Sequence, residues 1–456
     1  MIPTPNAVTA DYLADITRLG RPADALIGVA HRYFDLSKTT YAGRCLTRPV
    51  FLDHAQFSRL SRDLACLDAA LSSLPGRLFG GDLAAFARAA GMTGAQVTAI
   101  MRTPSAAPTA LARADFYPDE TGFRLIEINK GSAIAGLDTA LLNSAFLTDP
   151  RFAEFASSQG LAHVDTMAAM VATLRSECGL PGDDRLLVAA ADWPASFPNL
   201  EPRLRYSAQL LAGYGLDVVP CHLGQVSVRD GRVWVTGQDR PVDVIYRLFM
   251  VEDLLQPEAA ALVDPVLRAA QDGAVRIFAP LDAELYGSKA ALALLSDEAN
   301  RGLFTPAELE SLDAILPWTR MVRPGPVTVD GHQADLREYA LAQREDLILK
   351  PTLLHGGIGV VPGWLATPQD WAARLDAAMH GPHVLQRRIR PRPEPFPADG
   401  GLEAWVLQWG IILGSEGYSG VIARGSTDPD VGLVSMPSGA TGTCCFFQDG
   451  QRAAAA

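Results

Sequence analysis

RADFYPDETGFRLIEINK, residues 113–130, organises the reading of the whole chain. Apolar and polar residues alternate on either side of a turn-forming group, Pro118, Asp119 and Gly122, so a hairpin of two short strands is expected. In a strand, residues two apart face the same way. Glu127 and Asn129 therefore project together, and Arg113 and Asp115 do so from the partner strand. Two carboxylates and an amide carbonyl can converge there, a small all-oxygen set suited to Mg²⁺ that is also bound by water and nucleotide phosphates. A solvated strand face would show the same alternation, and the hairpin alone leaves both readings open.

A second stretch bears on that choice. In LILKPTLLHGGIGVVPG, residues 347–363, an apolar strand ends at Lys350-Pro351 and a short loop leads into Gly356, Gly357 and Gly359. Glycines remove the Cβ atoms that keep backbone N–H groups away from phosphate oxygens, and a lysine leaving the adjacent strand supplies charge for the same anion. The spacing is not that of a P-loop, since no GxxxxGK[ST] is present, and the GxGxxxG of Gly357, Gly359 and Gly363 has no helix behind it. An ordinary turn is the competing reading for the glycines taken alone.

Outward from these two stretches, the chain of 456 residues amounts to roughly three domains. Residues 1–112 read as mostly helical, with apolar residues at three- and four-residue spacing in DYLADITRLG, HAQFSRLSRDLACLDAALSSL and LAAFARAAG. Residues 113–165 carry the hairpin. Over 166–289 strands alternate with helices, from RLLVAAA through a hairpin turning at Asp230-Gly231 to VRIFAP, which predicts a βα layered domain with a mostly parallel sheet. Residues 290–456 read as α+β, with HVLQRRI, EAWVLQWGIILG and YSGVIARG expected in one antiparallel sheet.

Composition narrows the function. Apolar residues are 48% and charged residues 20%, the usage of a packed globular protein. A net charge of −12 argues against a sequence-independent grip on nucleic acid. The most apolar stretch, residues 405–413, is broken by Gln408 and falls short of the roughly 20 residues that cross a bilayer, so no membrane partner is expected. Asp11 and Asp15 sit where a secretory signal would be basic and then apolar, which points to the cytoplasm. The six cysteines form no CxxC and the eight histidines no HExxH, so neither zinc nor a disulfide framework is expected, and the adjacent Cys444 and Cys445 read as buried thiols. Self-association into a homo-oligomer is left open.

The segment from Arg113 to Gly136, R-x-D-[FY], a turn, then I-E-I-N, a small residue, Ser132 and glycine, resembles the metal- and substrate-binding segment of eukaryotic-type glutathione synthetases. It is also similar to glutathionylspermidine synthetases and related ATP-grasp carboxylate–amine ligases. The order of further islands fits: GSKAALALLSD with Lys289, ILKP with Lys350 and its glycines, HVLQRRIRP, and GYSGVIARG with Arg424. The resemblance implies an ATP-grasp fold of α/β (α+β) class with a central βα substrate-binding domain, a helical N-terminal region and a nucleotide-binding domain over 290–456. It implies ATP and Mg²⁺ as cofactors. Asp115, Glu127 and Asn129 would hold the metal; Lys289, Lys350, Gly356, Gly357 and Gly359 the phosphates; and Gln386, Arg387 and Ile389 the adenine. Arg424 would steady the transferred phosphoryl group, while Arg113 and Ser132 would orient the acid. The implied activity is ADP-forming ligation of a carboxylate to an amine through an acyl phosphate.

Departures from the family pattern redirect the substrate. No carboxylate occupies Thr352-Leu353-Leu354, where these synthetases carry a further metal-binding glutamate, so another ligand such as Glu416 would be needed. Ile134 stands where a small polar residue would help hold a γ-glutamyl group, and no amidase domain precedes the ligase region. An amino acid or peptide substrate in secondary metabolism is therefore expected in place of glutathione precursors. The alternatives are an ATP-binding regulator or carrier without turnover, and a carboxylate kinase that stops at the phosphorylated product. Arg247, ending the strand VDVIYR, is a candidate substrate contact because ligands of α/β sheets collect at strand ends. His355 beside the glycines could meet phosphate or stay exposed. The run Arg387, Arg388, Arg390 and Arg392 is either a solvated proline-held loop or an anion clamp.

Overall fold

The computed structural model describes residues 2–105, 107–131, 136–428, 430, 432, 434–436 and 438–450. Ser132 and Ile134 lie outside the described residues. Three larger sheets organise the chain.

The first sheet has eight strands, ordered Val50–Leu52, Thr441–Gln448, Gly417–Ser426, Gly401–Gly414, Ala112–Pro118 and Phe123–Lys130, with Glu394–Ala398 and Leu161–Ala162 paired off this path. The expected hairpin is thus present, and its outer neighbour is the long strand from near the C-terminus. Alternation does what the sequence predicts: Ala112, Ala114 and Phe116 join the main apolar core, while Arg113 and Asp115 face the other way. Packing against the core face is the helix His54–Phe79, opened by an Asp53/Gln56 capping box and closed by left-handed Gly80. Its Leu60, Leu64, Leu67, Leu71 and Leu74 recur at three- and four-residue spacing and are all buried.

The second sheet is fully parallel, in the order Arg276–Phe278, Val244–Arg247, Leu186–Asp192 and Leu216–His222. Every residue of Leu186–Asp192 is buried, as a strand covered on both faces requires. Helices Thr166–Cys178 and Phe197–Leu211 belong to this layer. The hairpin Val226–Arg229/Arg232–Val235 turns at Asp230 and Gly231, both left-handed (φ 50° and 68°), the pairing that two-residue hairpins favour.

The third sheet is antiparallel: Thr319–Met321, His383–Arg387, Leu347–Pro351 and Val361–Pro362. Its core side is covered by Trp371 and Leu375 of the helix Pro368–Ala378. Here the structure differs from the sequence expectation. His383–Arg387 does not share a sheet with Gly401–Gly414 and Gly417–Ser426. Pro391 and Pro393 lie between them, and a residue without N–H cannot extend the ladder, so the chain leaves one sheet and re-enters another.

Among the described residues no helix is long and apolar enough to cross a membrane. All six cysteines are free, with Cys444 and Cys445 both buried.

Candidate active site between two sheets

The polar face of the hairpin looks onto the third sheet. Asp115 lies opposite Glu127 and Arg113 opposite Asn129, so the four residues singled out in the sequence form one patch. Arg424 joins it from Gly417–Ser426. Asp115 is the patch's anchor: Arg113 donates Nε and Nη2 to its two oxygens at 2.8 and 2.9 Å, Arg424 donates Nη2 at 2.9 Å, and Asn129 donates Nδ2 at 3.4 Å. Space for this cluster comes from Gly410 on the intervening strand. A Cβ there would meet Arg113 Cδ at 2.9 Å, Asp115 Oδ1 at 3.0 Å and Arg424 Nη2 at 3.1 Å. Asp115 would have to exchange one of these bonds to reach a cation, whereas Glu127 already borders the cleft.

Two lysines bring positive charge to Glu127. Lys289 begins the helix Lys289–Ser296, where the Ser288 hydroxyl caps the first turn, and its Nζ lies 3.5 Å from Glu127 Oε2 while donating to the Leu354 carbonyl at 2.8 Å. Lys350 ends its strand with Nζ bonded to the Ile126 carbonyl at 3.0 Å and to Gln386 Oε1 at 2.7 Å. Burial alone would raise the Glu127 carboxyl, but Lys289, Lys350 and Arg113 together hold it down at about 2. Burial pushes Lys350 down to about 8 against the opposing pull of Glu127. Four cations, Arg113, Arg424, Lys289 and Lys350, thus surround two carboxylates, an excess that suits a polyanion. Arg424 Nε is buried without a hydrogen-bond partner, a donor still to be used.

Between the sheets runs a partly open cleft. Ile348, Val360, Trp364 and Ile389 give it apolar walls, and Glu127, Lys350 and Gln386 lie at its polar end. Gly357 and Arg387 also line it. Of the loop glycines, Gly356, Gly357 and Gly359 are all left-handed (φ 63°, 80° and 72°), a conformation that side chains resist. Flat apolar walls leading to a cationic end match a nucleotide, base first and phosphates last. The donors present fit Mg²⁺-bound phosphates, with Glu127 and Asn129 supplying oxygen ligands of the hard kind that cation takes.

Three of the four arginines of the basic run are paired, Arg387 with Asp330, Arg388 with Asp430, and Arg390 with Asp346, each within 2.8 Å, whereas the buried Nε of Arg392 has no hydrogen-bond partner. Arg388 also stacks on Trp364 at 4.1 Å. Arg247 is buried at the end of its strand, with Nη1 on Glu284 Oε1 at 2.6 Å and Nη2 on the Pro280 carbonyl at 3.1 Å. Glu416 is exposed in the hairpin turn between Gly401–Gly414 and Gly417–Ser426.

His355 approaches the patch, its Nδ1 3.3 Å from Asn129 Oδ1. Burial lowers its pKa, which keeps the ring neutral. On its other side stand Glu252 and Glu284, which sequence reading missed because neither belongs to a motif. Glu252 follows the strand Val244–Arg247 by a loop and Glu284 sits in the short helix Ala283–Gly287. Burial first, and then the charge of Glu284, raise Glu252 to about 7.

No family model matches the chain and no curated protein matches its sequence. Solved structures do. A glutathione synthetase-like effector from Globodera pallida, in its apo form, superposes with a TM-score of 0.52 at 10% identity, covering 92% of this chain and 96% of its own. A protein from Methylobacillus flagellatus carrying the name of a gamma-glutamylcysteine synthetase gives 0.42 at 13% identity, over 88% and 89% of the two chains. D-alanyl-alanine synthetase A from Vibrio cholerae gives 0.27 at 12%, over 51% and 68%. The last two are too distant in shape to bear on this chain. The first extends nearly end to end, and together with the two-sheet cleft it establishes that the chain has the ATP-grasp fold in its glutathione-synthetase-like arrangement.

Proposed function

We propose that the protein is an ATP-dependent carboxylate–amine ligase acting on an amino acid or peptide. The observation that carries this reading is the convergence of Lys289 and Lys350 on Glu127, and of Arg113 and Arg424 on the neighbouring Asp115, at the polar end of an apolar-walled cleft. Phosphoryl transfer to a carboxylate needs positioning and charge stabilisation more than a side-chain nucleophile, and among the described residues this patch contains cations and no activated serine or cysteine.

In this reading Ile348, Val360, Trp364 and Ile389 hold the base, and Lys350 and Lys289 hold the phosphates. Glu127 and Asn129 hold Mg²⁺, which supplies electrophilic neutralisation of the phosphate oxygens. Asp115 keeps Arg113 and Arg424 aimed at one point. Arg424 directs its spare Nε toward the group being transferred, and Arg113 with Ser132 orients the acid. An acyl phosphate forms on the substrate acid; the amine attacks its carbonyl carbon and phosphate leaves with the C–O bond pair. Ile134, where glutathione synthetases carry a small polar residue, favours an acid other than a glutathione precursor, in a cytoplasmic route of secondary metabolism.

The test is ADP release from ATP and Mg²⁺ with amino acids and short peptides, singly and in pairs, followed by mass detection of the product. A new amide accompanied by stoichiometric ADP is expected. ADP formed with hydroxylamine trapping but no amide would make the protein a carboxylate kinase. Tight ATP binding without ADP from any pair would make it a nucleotide-binding protein without turnover.

A further inference from the structure

Beside the phosphate-facing patch, three acceptors converge that the ligase reading leaves without a role. His355 Nε2 lies 4.0 Å from Glu252 Oε1 and 3.9 Å from Glu284 Oε2, and the three ligand atoms are all within 4.8 Å of one another. With Nδ1–H donating to Asn129 Oδ1 at 3.3 Å, Nε2 presents its lone pair to this point. Both oxygens of Glu252 are shielded from water and have no hydrogen-bond partner. Glu284 Oε1 is neutralised by Arg247, but its Oε2 has only the Val251 N–H at 3.3 Å. Glu252 oxygens without a donor are costly, a cost that a cation bearing N–H groups would relieve while leaving the carboxylate ionised.

Size decides which cation. Zn²⁺ and Mg²⁺ bonds to nitrogen and oxygen are about 2.1 Å, and three ligands spread evenly around such an ion stand at most roughly 3.6 Å apart. The separations of 3.9 and 4.0 Å exceed that. A donor nitrogen at about 2.9 Å from each acceptor spans the two His355 separations at near-right angles. We propose that Glu252, Glu284 and His355 form the subsite for the primary ammonium group of the amine substrate. This rests on the ligase reading for the word substrate, but the chemistry recognised, three N–H donors and one positive charge, comes from the tripod itself. Its position fits: His355 touches Asn129 of the metal set and directly precedes Gly356 of the glycine-rich loop, beside the phosphate-facing patch.

The test uses the full chain and two probes of equal charge. Ethylammonium chloride should raise the melting temperature saturably, and tetramethylammonium chloride, which has no N–H, should not. Glu252→Gln should weaken the ethylammonium response about ten-fold, and Glu252→Asp, which keeps the charge, should recover much of it. Equal responses to the two cations, or Zn²⁺ saturating the wild type in preference to ethylammonium, would overturn the proposal. With the acid and amine found by ADP release, Glu252→Gln should raise the KM for the amine about ten-fold while that for ATP stays within about two-fold. Its rate with hydroxylamine, uncharged near neutral pH, should be preserved. Loss of the hydroxylamine reaction as well would also overturn it. If no pair of substrates releases ADP, the ligase reading fails, and the melting experiment still decides whether the tripod binds a primary ammonium.

Discussion

Lys350, at the end of a strand in the small antiparallel sheet, donates its Nζ to the carbonyl of Ile126 in the eight-stranded sheet at 3.0 Å, one residue before Glu127. A single buried lysine thus ties together the two sheets that enclose the cleft and places its charge beside the carboxylate proposed to hold the metal.

Replacing Lys350 by methionine tests both duties at once. Removal of a charge aimed at transferred phosphate is expected to lower turnover by about 10²–10³-fold. The Ile126 carbonyl and Gln386 Oε1 would lose a donor, costing on the order of 1–3 kcal/mol of stability. ADP release and thermal denaturation measured on the same preparation separate the two effects. Turnover near the wild-type rate would remove Lys350 from the phosphate site.

Glu127→Gln is expected to raise the Mg²⁺ concentration needed for half-maximal activity, because a neutral amide is a weaker ligand than a carboxylate for a hard cation. The carboxyl is held ionised at about 2 by the surrounding cations, so the wild-type requirement should not change across the neutral range. A magnesium titration that is the same in both proteins would make Glu127 a partner of Lys289 alone.

Much of this site was legible because it follows period two. Arg113, Asp115, Glu127 and Asn129 share a face for a reason that any strand imposes. What local sequence could not convey is how that face is closed. Arg424 reaches Asp115 from 309 residues away, and Glu252 and Glu284 meet His355 only because a parallel-sheet loop and a short helix pass the glycine-rich loop. Such contacts leave no spacing to read. The strand His383–Arg387 illustrates the same limit: its own residues specify a strand, but which sheet it joins is settled by prolines that come after it.

Acid should loosen the helical layer through Glu308. Arg77 of His54–Phe79 binds this carboxylate at 2.6 Å, and the Thr305 capping box adds a backbone donor, so its pKa falls from 4.5 to about 2, led by the Arg77 hydrogen bond. A carboxyl depressed in the fold contributes stability that is fully present above its unfolded value of 4.5 and is lost as pH falls toward about 2. The stability difference between wild type and Glu308→Gln should therefore be largest near neutrality and shrink across that window. A difference independent of pH would show that the pair is worth nothing electrostatically.

Gly410 gives the sharpest separation between fold and site. Its Cβ-free backbone is what lets Arg113, Asp115 and Arg424 pack across the strand, since an added carbon would lie 2.9–3.1 Å from all three. Gly410 has no left-handed backbone to strain, so Gly410→Ala acts through crowding alone. The guanidinium of Arg424 is the part most able to yield, because its Nε has no partner to lose. Its displacement would unbind it from Asp115 and turn it from the point it shares with Arg113. We expect a stability loss of about 1–3 kcal/mol, the ordinary cost of overpacking. Turnover should fall further than that loss explains, while ATP binding, assigned in the proposed function to Lys350 and the apolar walls, should be nearly unchanged. Arg424→Lys in the same background shortens the crowded side chain and keeps the charge, so it should recover stability without recovering turnover. If Gly410→Ala alone were fully active, the Arg113–Asp115–Arg424 cluster would be a structural brace of the sheet and the phosphoryl group would have to be steadied elsewhere.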